Sequence, residues 1–343
     1  MTQTSALQTR PTSPDVVSLT AVDYSVSEAT RVRIERAVPE STRRAYTGDL
    51  SRFSAWCAER GRSALPATAE TLADYATHLS EAGKAPSTIR RALAAVRTAH
   101  RNGGAELPDT TGAGYVLRSH RRDQAAAGRR ERKAAPVTID VLRALVDGTD
   151  PATLAGLRDR ALVVLGFALG ARRSELVGLD LADVREAPEG LVVLIRQSKT
   201  DQDAAGVEVA LPYGAHPETC PVRTARAWRE ALEAAGVNSG PLFRRIDRHG
   251  ALSGAGRGSD DRLSGQGVGL VLQRLAAAAE PGSVPALTAH SLRAGFATVA
   301  YQAGADTLSI ARHGRWKDGS PVLLGYVRNV DRWRSNPLAG VGL

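Results

Sequence analysis

Apolar residues recur at helical spacing along most of this chain. Tyr46, Leu50, Phe53 and Trp56 stand three or four apart, so the segment from Ser41 to Gly61 predicts an amphipathic helix with Ser41 as its N-cap and Gly61 as its stop. A shorter helical pattern precedes it in "SEATRVRIERAV". "TAETLADYATHLSEAG" and "APSTIRRALAAVRTAHRNGG" predict two more helices, each capped by Thr or Ser and closed by Gly. Together these predict a small helical bundle over residues 27–116. Residues 1–26 are rich in Ser, Thr and Pro without any periodicity and predict a disordered N-terminus.

The pattern lapses in "RSHRRDQAAAGRRERKAAPVT", where seven Arg or Lys face only Asp123 and Glu131, which predicts a basic linker over residues 117–136. Periodicity resumes at residue 137 and defines a second domain, 137–343. "TIDVLRALVDGT" opens that domain, which begins with helices, and the apolar run "ALVVLGFALG" predicts a buried one. Leu191 to Ile195 is continuously apolar, while Val207, Val209 and Leu211 alternate with polar residues, so the pair predicts a β-hairpin with Lys199 where the first strand enters the turn. Helices follow at 222–235 and 265–279. The glycine-rich "GALSGAGRGSDDRLSG" lacks a preceding βα unit and a Gly-Lys-Ser/Thr ending, which makes it a surface loop rather than a phosphate cradle. The fold class is mainly α: a helical bundle, then a mostly helical domain with a small antiparallel hairpin.

A length of 343 residues suits about two domains. The formal charge of +9 points to a polyanionic partner, nucleic acid or an acidic membrane surface. No apolar run reaches the ~18 residues of a membrane span, and the N-terminus has no signal core, so a cytoplasmic protein is expected. Cys57 and Cys220 fit no disulfide or metal framework, and no metal or cofactor is expected. Arg43, Arg44, Arg90 and Arg91 in the bundle, with Arg121, Arg122, Arg129 and Arg130 in the linker, are candidate DNA contacts; the alternative is a solvated basic surface. Of 45 basic residues only four are lysines, so a lysine in a suggestive place carries weight, because its ammonium gives up a proton more readily than a guanidinium.

In "LTAHSLRAGFAT", Leu292, Phe296 and Val299 mark one stripe of a helix, and His290 and Arg293, three apart, lie together beside it. Near the end of the chain, Ser320-Pro321 is an N-cap followed by proline at the first helical position, which places Tyr326 on the second turn of a new helix.

Taken in order, "GARRSEL" with Arg172 and Glu175, Lys199 at the hairpin, His290-Ser-Leu-Arg293, Trp316 and Tyr326 resemble the catalytic domain of the tyrosine recombinase (phage integrase) family. The bundle, with its Ser-Thr-x-x-x-Tyr opening, resembles that family's SAM-like core-binding domain. The resemblance implies that Arg172 and Arg293 are the arginine pair, Lys199 the hairpin lysine, His290 the first histidine, Trp316 the occupant of the His-or-Trp position and Tyr326 the nucleophile, with Glu175 in support. One departure is that Trp316 precedes Tyr326 by ten residues where the family usually has nine; His313 is the rival for that position. The resemblance also implies that residues 335–343 dock on a neighbouring protomer.

The chemistry of the residues agrees. Attack on a phosphodiester builds negative charge on the nonbridging oxygens, and two guanidinium forks match those oxygens without a metal. A tyrosine requires a proton acceptor such as His290, and the departing 5′-oxygen requires a donor such as Lys199. The expected activity is site-specific recombination of double-stranded DNA through a 3′-phosphotyrosyl intermediate, by four protomers on two sites, with the need for a directionality factor left open. The alternatives are a type IB topoisomerase-like nicking and resealing enzyme and a non-catalytic DNA-binding protein on the same fold.

Overall fold

The computed structural model describes residue 20 and residues 25–129, 134–197, 206–252, 261–279, 286–334, 338 and 341. The chain divides into two compact units, residues 1–131 and 132–343.

Among its described residues the first unit has the helices α1 (Glu28–Ala37), α2 (Glu40–Glu59), α3 (Ala69–Glu81), α4 (Pro86–Asn102) and α5 (Thr111–Ala126). The predicted stripe of α2 points inward: Phe53 and Trp56 are buried and pack with Tyr75 of α3, Phe53 edge-on at 4.9 Å and Trp56 at 5.0 Å. Ile89 and Val96 of α4 complete this core with Leu72. Two helix starts differ from the sequence reading. Pro39 caps α2, so Ser41 lies inside the helix, and α4 begins with Pro86 at its first position after Ala85, where the missing proline N–H leaves one unpaired donor fewer and the Ala85 carbonyl accepts from Thr88 N–H at 2.9 Å. A larger difference is α5, which continues to Ala126 through the first half of the expected linker. Ala113, Leu117 and His120, spaced four and three apart, are buried, and His120 donates from Nε2 to the Lys84 carbonyl at 2.9 Å. The charged residues that follow, Arg121, Arg122 and Asp123, disguise this narrow stripe.

The second unit contains α6 (Ile139–Asp147), α7 (Leu154–Ala168), α8 (Arg173–Gly178), β1 (Val184–Ala187), β2 (Gly190–Ile195), β3 (Val207–Pro212), α9 (Pro221–Ala234), α10 (Gly265–Ala278), α11 (Ala289–Gln302), α12 (Thr307–Gly314) and α13 (Pro321–Arg334). The apolar run foreseen as a buried helix is the second half of α7, with Ala161 to Leu165 all buried; each such Leu or Val contributes roughly 1.5–3 kcal/mol by leaving water. The strands form one antiparallel sheet in the order β1-β2-β3, with Val193 opposite Val184 on one side and Val209 on the other. β1 extends the predicted hairpin by one strand. Trp228 of α9 is fully buried and donates its indole N–H to the Leu242 carbonyl at 2.8 Å. A smaller cluster of Ala297, Ile310, Ala311, Trp316 and Leu323 joins α11, α12 and α13.

Candidate active site

The site grows from the C-terminal end of α7. The last carbonyls of a helix lack partners within it and form the negative end of its dipole. Three consecutive ones here receive side chains from the last quarter of the chain: His313 Nε2 donates to Ala168 at 2.8 Å, Arg315 Nη2 to Leu169 at 3.1 Å and Arg293 Nη1 to Gly170 at 2.5 Å. Gly170 makes the turn possible. Its φ is +53°, and a Cβ there would meet the Phe296 ring at 2.6 Å.

At Arg172 the chain enters α8, and Glu175 folds back onto the helix start. Its Oε2 accepts the Arg172 backbone N–H at 2.9 Å and its Oε1 accepts the Arg172 Nη1 at 2.5 Å. Arg315 closes the other side, donating from Nη2 to Glu175 Oε2 at 2.7 Å while its own carbonyl accepts Arg172 Nη2 at 3.2 Å. The side chains of Glu175 and Arg315 are almost wholly buried, whereas that of Arg172 keeps 19% of its surface open. Burial alone pushes the Glu175 carboxyl up, but the Arg315 charge and the hydrogen bonds from Arg172 and Arg315 hold it below the ordinary carboxylate range. Arg315 ends α12 in the left-handed region, φ +58°, which is uncommon outside glycine. A Cβ on the preceding Gly314 would collide with the Trp316 ring.

Thr288 caps α11 by accepting the His290 N–H at 3.3 Å, which places His290 in the first turn and Arg293 one turn later. Arg293 is buried, its guanidinium carbon 3.6 Å from the centre of the Trp316 ring. Its Nη2 meets no hydrogen-bond partner among the described residues. Burial, and then the neighbouring Arg172 charge, pull its pKa down to about 9, which leaves it a cation at neutral pH. Phe296 supports the arrangement, stacked on His313 at 4.8 Å and parallel to Trp316 at 6.4 Å.

The Tyr326 hydroxyl, on the second turn of α13, lies 2.7 Å from His290 Nε2. Burial pushes the phenol up despite the Arg293 charge; burial, Arg293 and Arg172 push the imidazole down. Both directions favour the neutral pair, so the phenol O–H donates and Nε2 accepts, leaving the ring proton on Nδ1. Trp316 stands edge-on to Tyr326 at 6.4 Å.

The fold therefore gathers Arg172, Glu175, His290, Arg293, Trp316 and Tyr326 from three helices, α8 with its N-cap, α11 and α13, and from the turn after α12. Lys199 lies outside the described residues. His313, the rival for the position of Trp316, commits its Nε2 to Ala168 and its ring face to Phe296. Arg315 is the member that sequence reasoning missed: in a chain whose cations are nearly all arginine, one more arginine beside Trp316 carries no signal. Among the described residues no group of three His, Cys, Asp or Glu is placed to hold a metal ion. In the first unit, Arg43, Arg44, Arg90, Arg91, Arg121, Arg122 and Arg129 are exposed, with Arg91 hydrogen-bonded to buried Asp49 at 2.8 and 3.2 Å and Arg44 paired with Glu40 at 2.5 Å. Arg130 lies outside the described residues.

Two family models match the chain: the phage integrase N-terminal SAM-like domain over residues 30–102 and the phage integrase family over residues 137–332. An integrase/recombinase XerD homologue of Selenomonas ruminantium is 34% identical over 307 residues, covering 89% of this chain and 86% of its own. A tyrosine recombinase XerD of Halalkalibacterium halodurans is 30% identical over 290 residues, covering 81% and 84%. Among solved structures, the XerH site-specific recombinase bound to a palindromic difH substrate matches with a TM-score of 0.57 at 16% identity, covering 87% of this chain and 79% of its own. A lambda integrase dimer bound to a COC′ core site matches with a TM-score of 0.54 at 14% identity, covering 87% and 92%; at such identities the likeness is one of fold. The chain belongs to the phage integrase family of tyrosine recombinases, enzymes that cleave and rejoin DNA strands.

Proposed function

We propose that this chain exchanges strands at a specific duplex DNA site with Tyr326 as its nucleophile. The observation that carries the reading is the 2.7 Å hydrogen bond from Tyr326 to His290, set beside the guanidiniums of Arg172 and Arg293. The Tyr326 oxygen attacks the scissile phosphorus as its proton passes to His290 Nε2. The bond to the 5′-oxygen breaks, and that oxygen takes a proton from Lys199. The product is a 3′-phosphotyrosyl linkage, which preserves the phosphodiester energy, so a 5′-hydroxyl of another strand reverses the step and joins the new strand without ATP.

Arg172 and Arg293 balance the charge on the nonbridging oxygens. Burying an unpaired donor costs about 1–3 kcal/mol, and a phosphate oxygen supplies the partner that Arg293 Nη2 lacks among the described residues. Glu175 orients Arg172, and Trp316 covers Arg293 and offers its indole N–H to phosphate. The exposed arginines of the first unit bind the DNA backbone. A lambda integrase structure of this fold is a tetramer bound to a Holliday junction; we extend that assembly, four copies on two DNA sites, to this chain. No helix among the described residues is long and apolar enough to cross a membrane, and we place the protein on DNA in the cytoplasm.

The test uses a duplex nicked beside the scissile phosphate and a denaturing gel. The native chain is expected to leave a covalent adduct, and Tyr326→Phe to bind the duplex without one. An adduct formed by Tyr326→Phe overturns the assignment.

A further inference from the structure

We propose that Arg315 is a positioning residue: by holding the buried carboxylate of Glu175 it leaves the charge of Arg172 available to the scissile phosphate. The inference rests on the proposed role of Arg172.

The charges explain the need. Alone with Glu175, Arg172 would form a closed, nearly neutral ion pair, since a carboxylate and a guanidinium match fork to fork. A neutral pair has little attraction for a phosphodiester. In the structure Glu175 is shared. Its Oε1 accepts from Arg172 at 2.5 Å and its Oε2 from Arg315 at 2.7 Å, so two cations flank one anion and the trio carries one net positive charge. Among these three Arg172 is the partly open member, since Glu175 and Arg315 are buried, and it is the one that a phosphate can reach.

Geometry adds a second effect. The Arg315 carbonyl accepts Arg172 Nη2 at 3.2 Å, and the next residue, Trp316, covers the face of Arg293 at 3.6 Å. The same two residues thus touch both arginines of the site. Arg315 is also tied to the end of α7 through the Leu169 carbonyl and to its own turn through the His313 carbonyl at 2.7 Å. Its left-handed backbone, costly for a residue with a Cβ by roughly 1–2 kcal/mol, is kept where glycine would suit the turn better. The side chain, rather than the turn, accounts for arginine at this position.

The experiment compares four chains: native, Arg315→Gly, Glu175→Gln and the double variant. Glycine keeps the left-handed turn and its carbonyl while deleting the cation. Each is assayed for binding to a nicked duplex and for the rate of covalent adduct formation. Arg315→Gly is expected to bind within about threefold of native and to cleave roughly ten- to a hundredfold more slowly. Adding Glu175→Gln should recover a substantial part of that loss, because it removes the anion that Arg315 no longer balances. A merely structural arginine predicts the reverse, a double variant no faster than Arg315→Gly. Unchanged cleavage by Arg315→Gly, or no recovery in the double variant, overturns the proposal. Arg315→Asn, also compatible with the left-handed turn, replaces glycine if that variant does not fold; failure of both to fold makes Arg315 a stability residue and equally overturns it. Failure of the underlying reading looks different, as the native chain would then form no adduct with DNA.

Discussion

The guanidinium of Arg293 lies 3.6 Å from the centre of the Trp316 ring, both buried, with the Phe296 ring parallel to the indole at 6.4 Å. A desolvated contact of this kind is worth about 2 kcal/mol. Trp316→Ala is therefore expected to slow adduct formation by roughly tenfold or more, since about 1.4 kcal/mol is a factor of ten. Trp316→Phe keeps a ring face over the cation and should fall in between. Equal rates for the alanine and phenylalanine variants would show that the ring face does not matter.

The His290 imidazole is held below its ordinary value of 6.5 by burial and by Arg293 and Arg172. It stays a neutral acceptor further into acid than a free histidine, so the acid midpoint of single-turnover cleavage should lie below 6.5. The stability contribution has the same sign. At pH 6.5 the unfolded chain binds more of this proton than the folded one, so the contribution is present above 6.5 and is lost as pH falls through the lower folded value. A pH profile of adduct formation whose acid midpoint stands above 6.5 would contradict His290 as the base.

Lys199→Ala should slow cleavage strongly and leave binding almost unchanged, and Lys199→Arg should recover little, since a guanidinium parts with its proton reluctantly. A substrate with sulfur at the bridging 5′ position expels a leaving group that needs no proton. It should restore cleavage to Lys199→Ala but not to Tyr326→Phe. Equal impairment of Lys199→Ala on the oxygen and sulfur substrates removes the lysine from the acid's role.

Gly170 carries the carbonyl that holds Arg293, in a left-handed turn packed against Phe296. Gly170→Ala adds roughly 1–2 kcal/mol of backbone strain and must also displace the ring. The unfolding midpoint of the unit formed by residues 132–343 is expected to drop by about 4 °C or more, with slower cleavage. A melting curve that does not move would show that the turn relaxes without cost.

Much of this site was written in local order. The three-residue step from His290 to Arg293 can be read from helical periodicity, and the start of α13 from Ser320-Pro321, because both depend on neighbours within one turn. The alternation of Val207, Val209 and Leu211 likewise announced the hairpin, although Val207 at its open end remains 38% exposed. The ordered set from Arg172 to Tyr326 carries the resemblance to the family without any tertiary contact. What stayed hidden required distance. α5 runs through a segment that charge had marked as a linker, because burial of Ala113, Leu117 and His120 against its neighbours outweighs the repulsion of solvated arginines.

Sequence by itself determined which chemical groups are available and which helices present them, since spacing along a helix sets what stands side by side. Tertiary structure alone decided which of the many arginines are buried and paired. Arg315 meets Glu175 across 140 positions of chain, and Arg293 meets Gly170 across 123. Those encounters are governed by the packing of α11 and the α12 turn onto the end of α7, where low dielectric and uncovered carbonyls make a cation's position worth several hydrogen bonds. No local pattern encodes that, because a buried arginine and a solvated one are spelled alike.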